Sequence, residues 1–184
     1  MIADTETLAV ARHAAGRAIP DWVADFFEAY LARDAGWLER ILHDDIDWLL
    51  AGPADQFDHY GRRRDKESVI ELITKIIPCY YYPTGFVFEH LIVEGDAAAG
   101  QVAAHGRLRA RQRDTGRSLN FRFANFLRFE SGKLVSFRGI PDTFDAVEQM
   151  VGHAVDVTRA IKTLSAFPGD LVADAEALHP RAPD

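Results

Sequence analysis

The chain contains one cysteine, Cys79, in 184 residues. That excludes an internal disulfide and any thiolate-rich metal site. No apolar run approaches the roughly 20 residues that span a bilayer as a helix. The opening residues, Met1 to Thr5, show no basic stretch followed by an apolar one, so no export signal is expected and the expected location is the cytoplasm. Positive charge is also short, with a net charge of −7 that argues against general nucleic-acid affinity. No internal repeat and no linker to a second domain interrupts the sequence.

What is present suits one globular domain: 48% hydrophobic and 27% charged residues exclude wholesale disorder. The charge is unevenly placed. Residues 101–140 hold nine Arg or Lys against two Asp or Glu, so this segment is +7 and the remainder −14. One reading is a basic sheet face answered by acidic helices or by a partner subunit. The other is attraction of an anionic ligand.

Hydrophobic periodicity gives the order of elements. Residues 4–17 are alanine-rich, a loose helix or an arm. Pro20 and Asp21 open an amphipathic helix, with Trp22, Val23, Phe26, Phe27, Tyr30 and Leu31 on one face and Gly36 as its stop. A short helix over 37–43 and a strand from Ile46 to Leu50 follow. Lys66 to Ile77 reads as a third helix ended by Pro78. Extended segments then run over Phe86–Val93, Ala97–Arg113, Leu119–Phe129 and Lys133–Ile140, joined by Gly-containing turns. Asp142 is placed to cap a last helix from Thr143 to about Ala166. Helices first and an antiparallel meander afterwards indicate an α+β domain. A twisted sheet of this kind curls, and the apolar helix faces can close it over a pocket for a small molecule. The expected organisation is an arm over 1–18, the domain over 19–145, and a helix with a polar tail over 146–184.

Thr115-Gly116-Arg117, Ser131-Gly132-Lys133-Leu134 and Pro141-Asp142 resemble the C-terminal half of SnoaL-like proteins and limonene epoxide hydrolases, in the same order. Tyr60-Gly61-Arg62 is similar to the Gly-Arg that precedes the family's third helix. The resemblance covers roughly residues 20–150 and implies the SnoaL-like branch of the nuclear-transport-factor-2-like superfamily. Its fold is a cone-shaped curved antiparallel sheet wrapped around N-terminal helices, a cystatin-like α+β barrel, here with an extra C-terminal helix. The epoxide hydrolases carry an Asp–Arg–Asp set. Asp142 and Arg107 match two members, but Arg109 stands at the third place, and Trp48 and Leu50 replace the water-holding Tyr and Asn. Epoxide hydrolysis is therefore not expected.

The candidate catalytic residues are Asp142, His105 and Arg107. Asp142 would be the acid/base, and His105 or Arg107 would stabilise developing negative charge. By the resemblance, His105 and Arg107 lie on the pocket side. Capping alone also accounts for Asp142, and simple packing for His105. Substrate contacts are assigned to Trp22, Phe26, Tyr30, Trp48, Tyr60, Phe121, Phe123 and Asn125, the last an amide among phenylalanines. The aromatics equally suit a plain core. His43, Asp44, Asp45 and Asp47 match no metal geometry, and neither a metal nor a cofactor is expected.

Two functions follow: a cofactor-free isomerase, cyclase or lyase acting on a small apolar carbonyl compound, or a non-catalytic module binding a hydrophobic or anionic metabolite. A homodimer is expected through the outer sheet face, where Ala124 and Phe126 sit among arginines.

Overall fold

The computed structural model describes residues 9–10, 13–14 and 17–155. The described residues up to Val151 form one compact unit. Three two-residue strands come first: β1 (Ala9–Val10), β2 (His13–Ala14) and β3 (Arg17–Ala18). The described part of the expected arm is thus extended, and β1 adds to the main sheet.

Helix α1 (Asp21–Ala32) buries Val23, Phe26, Phe27, Tyr30 and Leu31 along one stripe. It ends earlier than Gly36, where Arg33 takes the left-handed conformation at φ 54°. That turn frees Asp34 to cap α2 (Ala35–Ile41), accepting the Trp37 amide at 2.9 Å, so Gly36 lies inside a helix rather than ending one. Asp65 caps α3 (Lys66–Glu71) in the same way at 2.7 Å from the Ser68 amide. The chain then widens into a π turn over Leu72–Ile76 before a 3₁₀ turn at Ile77–Cys79. The expected regular helix is therefore broken, and the wider turn leaves Leu72, Ile73 and Ile77 all buried.

The strands are β4 (Leu42–Leu50), β5 (Gly61–Arg63), β6 (Tyr81–Gly95), β7 (Gly100–Gln112), β8 (Ser118–Glu130) and β9 (Lys133–Pro141). Their order in the sheet is β1-β6-β7-β8-β9-β4-β5. From β6 to β9 the sheet is an antiparallel meander, as expected. It becomes mixed at both sides, because β4 runs parallel to β9 and β1 parallel to β6.

Alternation along β7 and β8 fixes which face meets the helices. Val102, Ala104, Leu108 and Ala110 are buried on β7, as are Leu119, Phe121, Phe123, Asn125, Leu127 and Phe129 on β8. The helices α1, α2 and α3 cover this face, enclosing one core. The final helix α4 (Thr143–Val151) is shorter than expected. It stops before Gly152 at φ 83°, and residues 152–155 carry no helix; positions 156–166 lie outside the described residues. Among the described residues no helix is long and apolar enough to cross a membrane.

Candidate functional site

Between α1 and the inner sheet face lies an apolar cavity. Its walls are Phe26, Phe27 and Tyr30 from α1, Trp48 and Leu50 from β4, Tyr81 and Phe86 from β6, and Leu108 from β7. Phe121, Phe123 and Asn125 from β8, with Phe137 and Pro141 from β9, complete it. The free volume is about 30 Å³. That holds a water or two, whereas pockets for metabolites run to several hundred Å³. The rings account for the difference. Trp48 and Phe137 stack at 3.8 Å with 12° between their planes, and Phe26 leans on both at 6.4 and 6.0 Å.

Polar groups enter this apolar space at few points. Asn125 is 5% exposed and its strand neighbours are Ala104 and Gly139, two small residues that leave room around the amide. A Cβ on Gly139 would sit 2.7 Å from Leu50, 2.8 Å from Phe137 and 3.3 Å from the Asn125 Oδ1. The Trp48 Nε1–H is buried and has no hydrogen-bond partner among the described residues. Burial pushes the Tyr30 hydroxyl's pKa far above the ordinary tyrosine value. Tyr81 is raised likewise, first by burial and then by the nearby Tyr30 and Tyr60. Both phenols stay neutral across the physiological range and can donate a hydrogen bond.

Six of the eight residues expected to contact a ligand do line this cavity: Phe26, Tyr30, Trp48, Phe121, Phe123 and Asn125. The other two do not. Trp22 packs edge-on against Phe129 at 4.9 Å, away from the cavity. Tyr60 is buried behind the wall, its ring filling the space above Gly52, where a Cβ would lie 2.4 Å away.

The expected catalytic trio is not at the cavity. His105 and Arg107 point to the outer face, because Ala104 and Leu108, flanking them on β7, take the inner one. There both meet Glu89: His105 Nδ1 lies 3.4 Å from Oε2, and Arg107 Nε 3.3 Å from Oε1. Asp142 is exposed and caps α4, accepting the Asp145 amide at 3.2 Å. The pocket-side placement of the pair is thus corrected by strand alternation, and the carboxylate is turned outward by its cap. Two members of the acidic run after α2 are held in ion pairs. Asp44 binds Lys66 at 2.6 Å, and Asp47 accepts from Arg62 at 2.7 Å and from Arg138. These guanidiniums, Arg62 first, hold the Asp47 carboxyl well below the usual range.

One buried polar residue escapes sequence reasoning. His59, in the loop before β5, is fully buried, and neither ring nitrogen has a partner among the described residues. It sits within a ring cage: Tyr60 at 4.1 Å, Tyr80 at 4.6 Å and Tyr81 at 5.5 Å. Burial, with the Arg63 charge nearby, lowers its pKa to about 4, so the imidazole is neutral near pH 7. The loop is polar and rich in Gly, Pro and Asp; only the neighbouring Phe57 and Tyr60 hinted at burial.

The profile of the SnoaL-like domain matches residues 23–137, more than half of the chain. The chain belongs to the SnoaL-like family. Its fold is that of the wider NTF2-like group, as solved structures show. A proposed isomerase from Rhodopseudomonas palustris is 28% identical, covering 73% of this chain and 98% of that one, with a TM-score of 0.62. An NTF2-like protein from Burkholderia thailandensis is 25% identical over 71% of this chain and 94% of its own, with a TM-score of 0.56. IdmH, a proposed polyketide cyclase from Streptomyces antibioticus, shares 21% identity over 71% and 96%, with a TM-score of 0.56. No curated protein matches the chain. In this SnoaL-like chain the cavity, rather than the trio of His105, Arg107 and Asp142, is where the inner sheet and α1 bring polar and aromatic groups together.

Proposed function

We propose that this SnoaL-like protein binds a small, largely apolar carbonyl compound in the cavity and holds its oxygen with neutral donors. The carrying observation is the set of polar groups there. Asn125, Tyr30, Tyr81 and the Trp48 indole are uncharged, and no carboxylate, lysine or arginine is among the lining residues. Neutral donors in an apolar space suit a carbonyl oxygen and disfavour an anion, whose desolvation they would not offset. The rings of Trp48, Phe137 and Phe26 must part to admit it, since the present volume is about 30 Å³.

The test is a matched pair: acetophenone, and ethylbenzene, which lacks only the oxygen. The ketone is expected to bind more tightly, with the difference lost in Asn125→Leu and reduced in Tyr81→Phe. A hydrogen bond in such a site contributes about 1 kcal/mol, or several-fold in affinity. Equal binding of the two compounds would refute the reading.

A second reading, proton transfer on the bound carbonyl compound, is favoured by His59. A neutral imidazole, both of whose nitrogens are unpartnered among the described residues, lies 5.5 Å from the ring of Tyr81, a lining residue. Its lowered pKa makes it a weaker base than free imidazole, so any exchange it supports is expected to be slow. The names of the Rhodopseudomonas and Streptomyces relatives agree with isomerisation or cyclisation. Protein-dependent exchange of acetophenone's methyl hydrogens in heavy water, lost in His59→Leu, would support it. No exchange would leave a binding protein.

We also propose a homodimer through the outer sheet face. Ile92 is 72% exposed, Phe126 48% and Ile140 50%, an apolar set that a second copy would cover.

A further inference from the structure

The outer face of the sheet carries a second constellation, unrelated to the cavity. Strand β6 pairs with β7 in regular antiparallel register from Gly85↔Arg109 to Phe88↔Gly106, and the next pair is His90↔His105. Glu89 is therefore the extra residue of a β-bulge. A bulge sets two residues of one strand against one of its partner and reverses the alternation beyond it. Burial follows that reversal: Phe86 and Phe88 are buried before it, while Leu91 and Val93 pack against the core after it. Glu89 and His90, though adjacent in sequence, thus both stand on the outer face beside His105. Gly106 makes room for this, since a Cβ there would lie 2.0 Å from the Val87 carbonyl oxygen.

We propose that Glu89, His90 and His105 form a binding site for a borderline transition-metal ion, of which zinc is the type. One ligand atom from each lies within 4.8 Å of the other two. His105 Nδ1 and Glu89 Oε2 are separated by 3.4 Å. Ligand atoms around a tetrahedral zinc, with bonds of about 2.0–2.2 Å, stand roughly 3.3–3.5 Å apart. The His90 ring is exposed and can turn toward this pair. Two imidazoles and one carboxylate favour zinc, copper or nickel over magnesium or calcium, which demand more oxygen ligands. Arg107 takes the other carboxylate oxygen, Oε1, at 3.3 Å, which orients Glu89 and leaves Oε2 toward the histidine. Two of the neighbours of His105, Ala103 along the strand and Ala124 across it, are small.

The experiment is a calorimetric titration of the metal-stripped full chain with zinc chloride, repeated with magnesium chloride. Wild type is expected to take up zinc at this site and no magnesium. His90→Gln/His105→Gln should bind one zinc equivalent fewer. His90→Gln alone changes one exposed side chain without touching the core, and should weaken that site by about tenfold or more. Cobalt chloride should give visible absorption bands in wild type that the double variant lacks. The proposal fails if wild type takes up no zinc, or if the double variant binds as many equivalents as wild type.

Discussion

Trp48 and Phe137 lie face to face on neighbouring parallel strands, their ring centres 3.8 Å apart and their planes 12° from parallel. This pair, rather than any missing volume in the fold, keeps the cavity near 30 Å³. Shortening one ring should therefore open it. Phe137→Leu is expected to cost about 1–3 kcal/mol of stability, below the range for Phe→Ala because part of the side chain stays. The same variant should bind acetophenone more tightly than wild type does, because less ring displacement is required. Urea denaturation and calorimetry check the two effects, and a destabilised variant with weaker binding would count against the closed-cavity account.

Two glycines in the sheet should respond differently to a methyl group. At Gly106 the added carbon would meet backbone, the Val87 carbonyl oxygen at 2.0 Å. At Gly139 it would meet side-chain atoms of Leu50 and Phe137, which can shift. Gly106→Ala is expected to lose stability toward the upper end of the roughly 1–3 kcal/mol seen for overpacking, and Gly139→Ala less. Gly139→Ala should instead lower acetophenone affinity, because the methyl fills the space beside Asn125. Urea midpoints and binding isotherms of the two variants separate the effects.

Acid should destabilise the protein in two stages. His59 has its pKa lowered to about 4 in the fold, against 6.5 for the free side chain. The unfolded chain therefore binds this proton first. Stability falls from about pH 6.5 and levels off near pH 4, a loss of about 3 kcal/mol at most. Asp47 acts below that window: its carboxyl, lowered by Arg62 and Arg138, stabilises the fold above the ordinary carboxylate value and loses that effect as the pH falls further. His59→Leu should flatten the upper stage and leave the lower one. Urea midpoints measured across this range would show it, and an unchanged upper slope would place the titrating group elsewhere.

A half-exposed phenylalanine at the centre of the outer face tests the assembly. Phe126→Glu should give monomers in sedimentation while leaving thermal stability of the monomer nearly unchanged, since no core contact is removed. A dimer that survives the substitution would shift the interface away from β8.

The buried face of the meander and most of the cavity were legible because period-two alternation is strict along β8. Phe121, Phe123 and Asn125 fall inward by that rule alone. The same rule, applied to Val102, Ala104, Leu108 and Ala110, already sends His105 and Arg107 outward; the resemblance to epoxide hydrolases pointed the other way and was misleading here. The bulge at Glu89 also leaves a trace, since the apolar positions change parity between Phe88 and Leu91. His59 left almost none. Its burial comes from rings 21 and 22 residues downstream, Tyr80 just before β6 and Tyr81 at its start, and local loop composition carries no sign of them. The end of α1 was missed because a non-glycine residue, Arg33, adopts the left-handed turn.

The central claim, a carbonyl held by neutral donors inside the cone, is tested most directly by a crystal structure of the protein with acetophenone. The ligand is expected between Phe26, Trp48 and Phe121, with the Trp48 and Phe137 rings moved apart. Its oxygen should lie within hydrogen-bond distance, about 2.7–3.2 Å, of the Asn125 amide or a tyrosine hydroxyl. Acetophenone bound only on the outer face, or seated in the cavity with its oxygen against hydrocarbon alone, would contradict the account.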